Sequence, residues 1–274
     1  MNEMHLILRK LLYLIMAPVA LFFVCSPAQA TPDDEWEIRV APYFFFANPN
    51  YDATLDGRTV PVDLSFSDIW DDFDVIAGSL RIEGWKGDWG IIADGIITSL
   101  DGDFDPDGRV NVAPKLTDIM IDLMGAYRLP KLHLFDRPFI TEVSAGLRYH
   151  YLKQKARVGV SLPGPGPLPG RNKAKRLGDS EDWIEPIIGA RVRWSLTEKW
   201  TWINGGDMSG FGIGSASKLT WSVNSVLNYQ FARHWSFAFG YRYLNMDYSK
   251  GSGASEFGFD GYIDGVLVGF TWRN

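Results

Sequence analysis

Large and small side chains alternate along the last part of the chain. Trp235, Phe237, Phe239, Tyr241 and Tyr243 take every second position, with Ser236, Ala238, Gly240 and Arg242 between them. After a Gly/Ser-rich connection, Val266, Val268, Phe270 and Trp272 alternate with Leu267, Gly269, Thr271 and Arg273. A period of two places successive side chains on opposite faces of a β-strand. Here a bulky aromatic face stands opposite a face of small residues and an arginine. A soluble sandwich carries its bulk inward and its polar residues outward. A barrel in lipid does the reverse, with large apolar residues outside and small or polar ones in the lumen. The pattern therefore predicts an all-β fold, an antiparallel transmembrane β-barrel of the outer-membrane kind. In the alternative, a soluble periplasmic β-domain, the same aromatic faces would be an aggregation liability.

The alternation predicts a first strand from about Trp36 to Ala47. Trp36, Ile38, Val40, Phe44 and Phe46 share one face, and Glu37, Arg39, Ala41 and Tyr43 the other; Pro42 withholds one ladder donor. Further strands are expected at 73–86, 89–101, 115–128, 138–152, 183–196, 199–211, 218–231, 235–248 and 257–272. Short connections (Gly87-Asp88, Thr197-Glu198, Ala232-Arg233-His234) alternate with long ones (102–114, 153–182, 212–217, 249–256). That matches short periplasmic turns and longer outer loops, with a middling turn at Pro130–Arg137. Segment 48–72 is ambiguous. Asp56-Gly57 is a two-residue hairpin signal between Tyr51–Leu55 and Thr59–Phe66, and Ser67–Asp72 reads as a capped turn or single helical turn. Strand parity allows ten wall strands with the 48–72 hairpin as a cap, or twelve with both arms in the wall; ten is favoured.

The N-terminus changes the picture of location. Arg9-Lys10 precede an apolar run, Leu11 to Val24, and Ala28 and Ala30 supply an A-x-A site. This is the order of a secretory signal peptide, expected to span residues 1–30 and to be cleaved, leaving 31–274 as the barrel domain. Cleavage removes Cys25, the one cysteine of the 274 residues, and with it any disulfide or thiolate metal site. The full chain has a formal net charge of -6. Such an acidic chain argues against nucleic acid as a partner. Seventeen Phe, eleven Tyr and eleven Trp fit the aromatic girdles of a membrane barrel.

Several segments carry a resemblance: Trp36…Pro42-Tyr43; Gly57-Arg58-Thr59-Val60…Asp63…Ser65-Phe66-Ser67-Asp68-Ile69; Gly87-Asp88-Trp89-Gly90; Gly240-Tyr241-Arg242-Tyr243-Leu244; and the ending Gly269-Phe270-Thr271-Trp272-Arg273. Over nearly all of the mature chain, the sequence resembles a family of uncharacterised proteobacterial outer-membrane β-barrel proteins. The resemblance implies a fold, a location in the cell outer membrane and insertion by the barrel assembly machinery. It implies no catalytic residue and no cofactor. Such chains usually end in an aromatic residue; this one ends in Asn274, two after Trp272.

If the bulky face is outside, the polar face lines the lumen. The Gly87-Asp88 turn sets Arg81, with Glu83 on the same face, opposite Asp94. Counting from Phe231 and Trp235 sets Asn224 opposite Arg242. Across the Pro130–Arg137 turn, Asp118 falls near Arg148, with Asp122 and Glu142 nearby. Glu185, Arg191 and Arg193 add charges from the next strand, while Asp207 is ambiguous in face. A narrow interior fills with paired charges that lock register. The functional alternative is a narrow passage for ions or small solutes, where unpaired charge selects.

Other chemistry is sparse. Of the mature histidines, His133, His150 and His234, only His150 is expected near the outer end of a strand, where a hydrolase would need it. No His-x-Ser spacing accompanies it. Asp103, Asp105 and Asp107, followed by Gly108, match the first half of a calcium loop, but its twelfth position is Pro114; a solvated acidic turn is the plain alternative. The segment Pro163–Gly170 is expected to lie in a long outer loop, 153–182. Lys153, Lys155, Arg157, Arg171, Lys173, Lys175 and Arg176 flank that segment. These cations suit either lipopolysaccharide phosphates or simple solvation. The expected role is structural or surface-interacting, with a largely occluded lumen and outer-membrane lipid as its surroundings.

Overall fold

The computed structural model describes residues 35–55, 57–63, 67, 73–102, 110–130, 132–162 and 171–274. The proposed signal peptide lies outside them. So do the calcium candidates Asp103, Asp105 and Asp107, and the Pro/Gly run 163–170.

The wall begins with β1 (Glu37–Leu55), flanked by a short β2 (Arg58–Asp63), and continues through β3 (Phe73–Lys86), β4 (Trp89–Gly102) and β5 (Val110–Arg128). A three-residue β6 (Leu132–Leu134) precedes the two longest strands, β7 (Arg137–Leu162) and β8 (Arg171–Ser195). Then come β9 (Trp200–Ser209), β10 (Leu219–Gln230), β11 (Trp235–Lys250) and β12 (Phe257–Arg273). All neighbours are antiparallel. Ten strands, all but β2 and β6, follow one another round the wall, and β12 pairs with β1 to close it. Closure joins the two ends of the sheet, which is what lipid demands of it.

The strand count turns on β1. On one side it pairs with β12 from Arg39↔Arg273 to Thr54↔Gly258. On the other, β3 pairs with it only as far as Tyr43↔Ser79, and β2 occupies the edge above, from Asn50↔Asp63 to Leu55↔Arg58. The barrel therefore has ten wall strands, and the hairpin stands over its upper rim. Tyr51–Leu55 is the top of β1 itself.

The β7–β8 pair departs from expectation. Its ladder continues through the stretch read as a 153–182 loop, up to Leu162↔Arg171. Proline and glycine are concentrated in residues 163–170. The flanking arms, with Val158 and Val160 and no proline, keep their ladder donors.

Outside, the wall is apolar. Ile91, Ile121, Leu147, Ile184, Val223, Phe239, Val266 and Phe270 are exposed. Aromatic pairs mark two levels. Near the short turns lie Trp89 with Tyr127 and Trp200 with Tyr229, each with ring centroids 4.8 Å apart. Higher up, Tyr243 stacks on Tyr262 at 5.1 Å and meets Trp221 at 5.2 Å. On β12, Tyr262 and Trp272 mark these two levels. At about 3.3 Å per residue and a tilt near 40°, they are separated by about 25 Å along the membrane normal, the height of the apolar band of such barrels. The closed ladder and the lipid-facing belt make this an outer-membrane β-barrel, and the end where β1 begins and β12 finishes carries the short turns that such barrels keep on the periplasmic side.

Above the upper girdle the alternation changes phase. Leu244, Met246, Tyr248, Phe257 and Phe259 point inward and are buried, while Asn245, Asp247 and Ser249 alternate with the first three on the outer face. Below the girdle the outer face is greasy; above it the inner face is. The switch marks where lipid gives way to water as the outer solvent.

Phe239 pairs with Val268 and Leu227, midway between the girdles. Phe239→Arg is expected to destabilise the barrel by about 2–4 kcal/mol, and Phe231→Arg at the lower girdle by about 0–1 kcal/mol. Denaturant titration of folding in lipid vesicles measures both.

Candidate functional site

Ten strands leave a bore that side chains can fill, so inward residues meet one another across it. At mid-height, successive rungs on β3, β4, β5, β7 and β8 carry Arg81, Asp94, Asp122, Arg148 and Glu185. Arg148 is fully buried. Its Nε and Nη2 donate to both oxygens of Asp122, at 2.7 and 2.8 Å, and Nη2 also donates to Asp207 at 2.9 Å. Its Nη1 donates to Ser209 Oγ at 3.1 Å. A fork matched to a carboxylate in this way gives short, charge-assisted bonds.

The register here corrects the sequence reading. Asp122, not Asp118, stands opposite Arg148, while Asp118 faces Leu152. The cause is the turn. Phe135 and Asp136 have φ of 52° and 59°, so the chain reverses tightly between Leu134 and Arg137. Two left-handed non-glycine residues carry no sequence signal of the Asn-Gly kind. Asp118 Oδ1 and His150 Nδ1 have no hydrogen-bond partner, and both residues border a cavity of about 20 Å³.

Glu185 is the second buried hub. Its oxygens accept from Ser209 Oγ at 2.5 Å, Ser217 Oγ at 2.7 Å and Trp183 Nε1 at 2.8 Å. His150 Nε2 lies 3.2 Å away. His150 does not reach the outer rim. It is 2% exposed and stacks on Trp183 with ring centroids 4.7 Å apart. The rim is distant because β7 runs on from His150 to Leu162.

Above this layer sits an apolar plug. Trp183 stacks on Tyr248 at 3.7 Å, and Tyr51 on Phe259 at 4.2 Å. Leu55, Leu152, Met246 and Phe257 complete the buried cluster. Sequence reasoning missed the plug, although the phase change after Tyr243 was its signal.

Toward the periplasm lies a third layer, centred on Glu83. Arg191 reaches it from β8 on the far wall, with Nη1 and Nη2 at 2.5 and 3.0 Å from its oxygens. Arg81 Nε donates to Glu83 at 2.7 Å and Trp85 Nε1 at 3.0 Å. Arg81 Nη1 also donates to Asp94 at 2.8 Å, whose other oxygen accepts from Tyr43 OH at 2.9 Å. Glu142 accepts from Arg191 at 2.6 Å and from Arg128 at 3.2 Å. Glu37, Arg39, Arg128 and Tyr43 belong to this layer and were not singled out from sequence. Arg193 and Arg242 were, and among the described residues neither has an ion-pair partner. Arg242 stands opposite Asn224, and its Nε is unsatisfied. Asp207, ambiguous from sequence, faces inward.

Of the basic cluster, Lys153 and Lys155 lie on the outer face of β7, and the backbone register pairs Arg157 with Arg176, Lys175 with Val158, Lys173 with Val160 and Arg171 with Leu162.

No family model matches the chain, and no curated protein matches it. Solved structures of similar path include the outer membrane protease OmpT from Escherichia coli, at 11% identity over 90% of this chain and 99% of that one, TM-score 0.49. Others are the translocator domain of the autotransporter NalP from Neisseria meningitidis (12%, 97% and 95%, TM-score 0.37) and Ail, the attachment invasion locus protein of Yersinia pestis (10%, 88% and 99%, TM-score 0.34). Likeness at this level transfers no residue's role, so the reading of the lumen rests on its own geometry.

Arg148→Leu strands two buried carboxylates and is expected to cost about 3–5 kcal/mol. Combining it with Asp122→Leu should recover part of that loss. Urea titrations of the refolded single and double variants measure the coupling.

Proposed function

We propose that this protein is a non-conducting outer-membrane barrel, structural or surface-interacting in role, with its lumen closed toward the cell exterior. The observation that carries the reading is the stacked plug of Tyr51, Phe259, Trp183 and Tyr248 resting on the Arg148 and Glu185 hubs. A hydrated ion would have to part packed rings and then pass Arg148 and Glu185, whose hydrogen-bonding groups are already engaged. A passage for ions or small solutes needs a continuous polar path, and the plug interrupts it. A hydrolase built on His150 needs substrate to reach that ring. His150 lies beneath the plug, and Ser209 and Ser217 donate to Glu185 rather than to His150.

The surface role draws support from the β7–β8 hairpin. Lys153 and Lys155 follow outward-facing Tyr151 on the same face, at the height where lipid headgroups meet the wall, and Arg157 pairs in register with Arg176 beyond them. Two outward cations at that height suit the phosphates of lipopolysaccharide. Insertion by the barrel assembly machinery completes this picture.

Planar-bilayer recording of the refolded mature chain, after a heat-shifted gel confirms folding, is expected to give no conductance steps. Replacing Trp183, Tyr248 and Phe259 together by Ala is expected to create them. Steady, charge-selective steps from the unaltered protein would overturn the proposal. Lys153→Glu with Lys155→Glu is expected to weaken lipopolysaccharide retention by about 1 kcal/mol per cation lost. Native mass spectrometry of the detergent-solubilised barrel reads that change.

A further inference from the structure

The lumen is closed above and open below. A cavity of about 270 Å³ reaches from exposed Lys199 and half-buried His234, on the periplasmic turns, up to Asp207 and Arg242 at mid-barrel. Its charges do not balance. Eight arginine and lysine side chains line it, against four carboxylates: Glu83, Asp94, Glu142 and Asp207.

All four carboxylates are already engaged. Glu83 and Glu142 share Arg191, with Arg81 and Arg128 as further donors. Asp94 is held by Arg81 and Tyr43. Asp207 is held by Arg148 at 2.9 Å and Ser222 at 2.5 Å. Arg39 is held by Glu37 and Glu83, and Lys199, Arg233 and Arg273 are exposed at the periplasmic mouth; of the remaining arginines, Arg193 and Arg242 have no ion pair among the described residues. Arg242 is only 8% exposed, and its Nε has no partner. Leaving a cation unpaired in so buried a place is costly. The layer above does the opposite, giving Arg148 two carboxylates and a hydroxyl.

The wall between these arginines is made by β9 and β10, which present Gly205 opposite Asn224. A Cβ on Gly205 would approach Asn224 Oδ1 to 3.0 Å, so glycine is what lets the Asn224 carboxamide lie against this part of the wall.

We propose that this cavity binds a small oxyanion, a carboxylate- or phosphate-bearing solute entering from the periplasm, held by Arg193 and Arg242. Guanidinium groups match both anions through paired N–H donors. A volume near the lower end for ligand pockets admits only a small solute. The plug makes the site a dead end, so the solute is bound and released on the same side. The site stands on its own lining and does not depend on whether the plug conducts.

The test is isothermal titration calorimetry of the refolded mature barrel in detergent, with inorganic phosphate and with succinate in turn, at ionic strength held constant with chloride. Saturable binding of at least one is expected, weakened about tenfold or more by Arg242→Met and by Arg193→Met. Lys250→Met, on the outer rim, should leave it unchanged. The Arg242→Met barrel should resist urea at least as well as the parent, because that arginine forms no ion pair among the described residues. A response to phosphate alone assigns a phosphate site, and to succinate alone a carboxylate site. The proposal is overturned if neither anion binds below about 10 mM, if both arginine variants bind as the parent does, or if Arg242→Met lowers resistance to urea.

Discussion

In hydrocarbon a backbone N–H or C=O without a partner costs several kcal/mol, and this chain meets that constraint by bringing β1 to β12. The closing ladder runs from Arg39↔Arg273 to Thr54↔Gly258. Asn274 carries it one step further. Its side-chain oxygen accepts from Ile38 N at 2.9 Å, its amide nitrogen donates to Trp36 O at 2.9 Å, and its backbone N–H donates to Ile38 O at 3.3 Å. A carboxamide has the donor and acceptor of a peptide group, so the asparagine side chain can continue a ladder.

Closure with ten strands also sets the bore, and the bore decides the chemistry inside. Charges on the inner face cannot reach bulk water at mid-height, so they are drawn into forks and hubs: Arg148 on Asp122 and Asp207, Glu185 on Ser209, Ser217 and Trp183. Contacts such as Arg191 to Glu83 tie β8 to β3 directly across the lumen. They brace the circular cross-section in a way that neighbouring-strand pairs cannot. Against that background the lower cavity stands apart, because cations there outnumber the acids that line it.

The plug follows from the change of outer solvent. Where the wall leaves the bilayer, its outer face must be wettable, and the apolar half of the alternation turns inward to bury itself. Tyr51, Tyr248, Phe257 and Phe259 thereby form a small water-soluble core on top of a lipid-soluble wall. One physical rule, burial of apolar surface away from water, gives an occluded mouth above and a greasy belt below.

The belt and its aromatic girdles were legible in the sequence, because a period of two reports which face each residue occupies; parity narrowed the count to ten or twelve, with ten favoured, and the edge of β1 decided it. Rungs across marked turns were legible too: Gly87-Asp88 sets Arg81 against Asp94, and the turn before Trp235 sets Asn224 against Arg242. Three things were decided by tertiary structure alone. Asp122 took the place of Asp118 opposite Arg148, because Phe135 and Asp136 turn left-handed without glycine to announce it. The 153–182 stretch became ladder almost to its tip, because an adjoining strand can order arms that look loop-like in isolation. The cross-lumen partner of Glu83, Arg191, was invisible, because alternation gives a residue's face and height but not its angle around the barrel, and only closure fixes that angle.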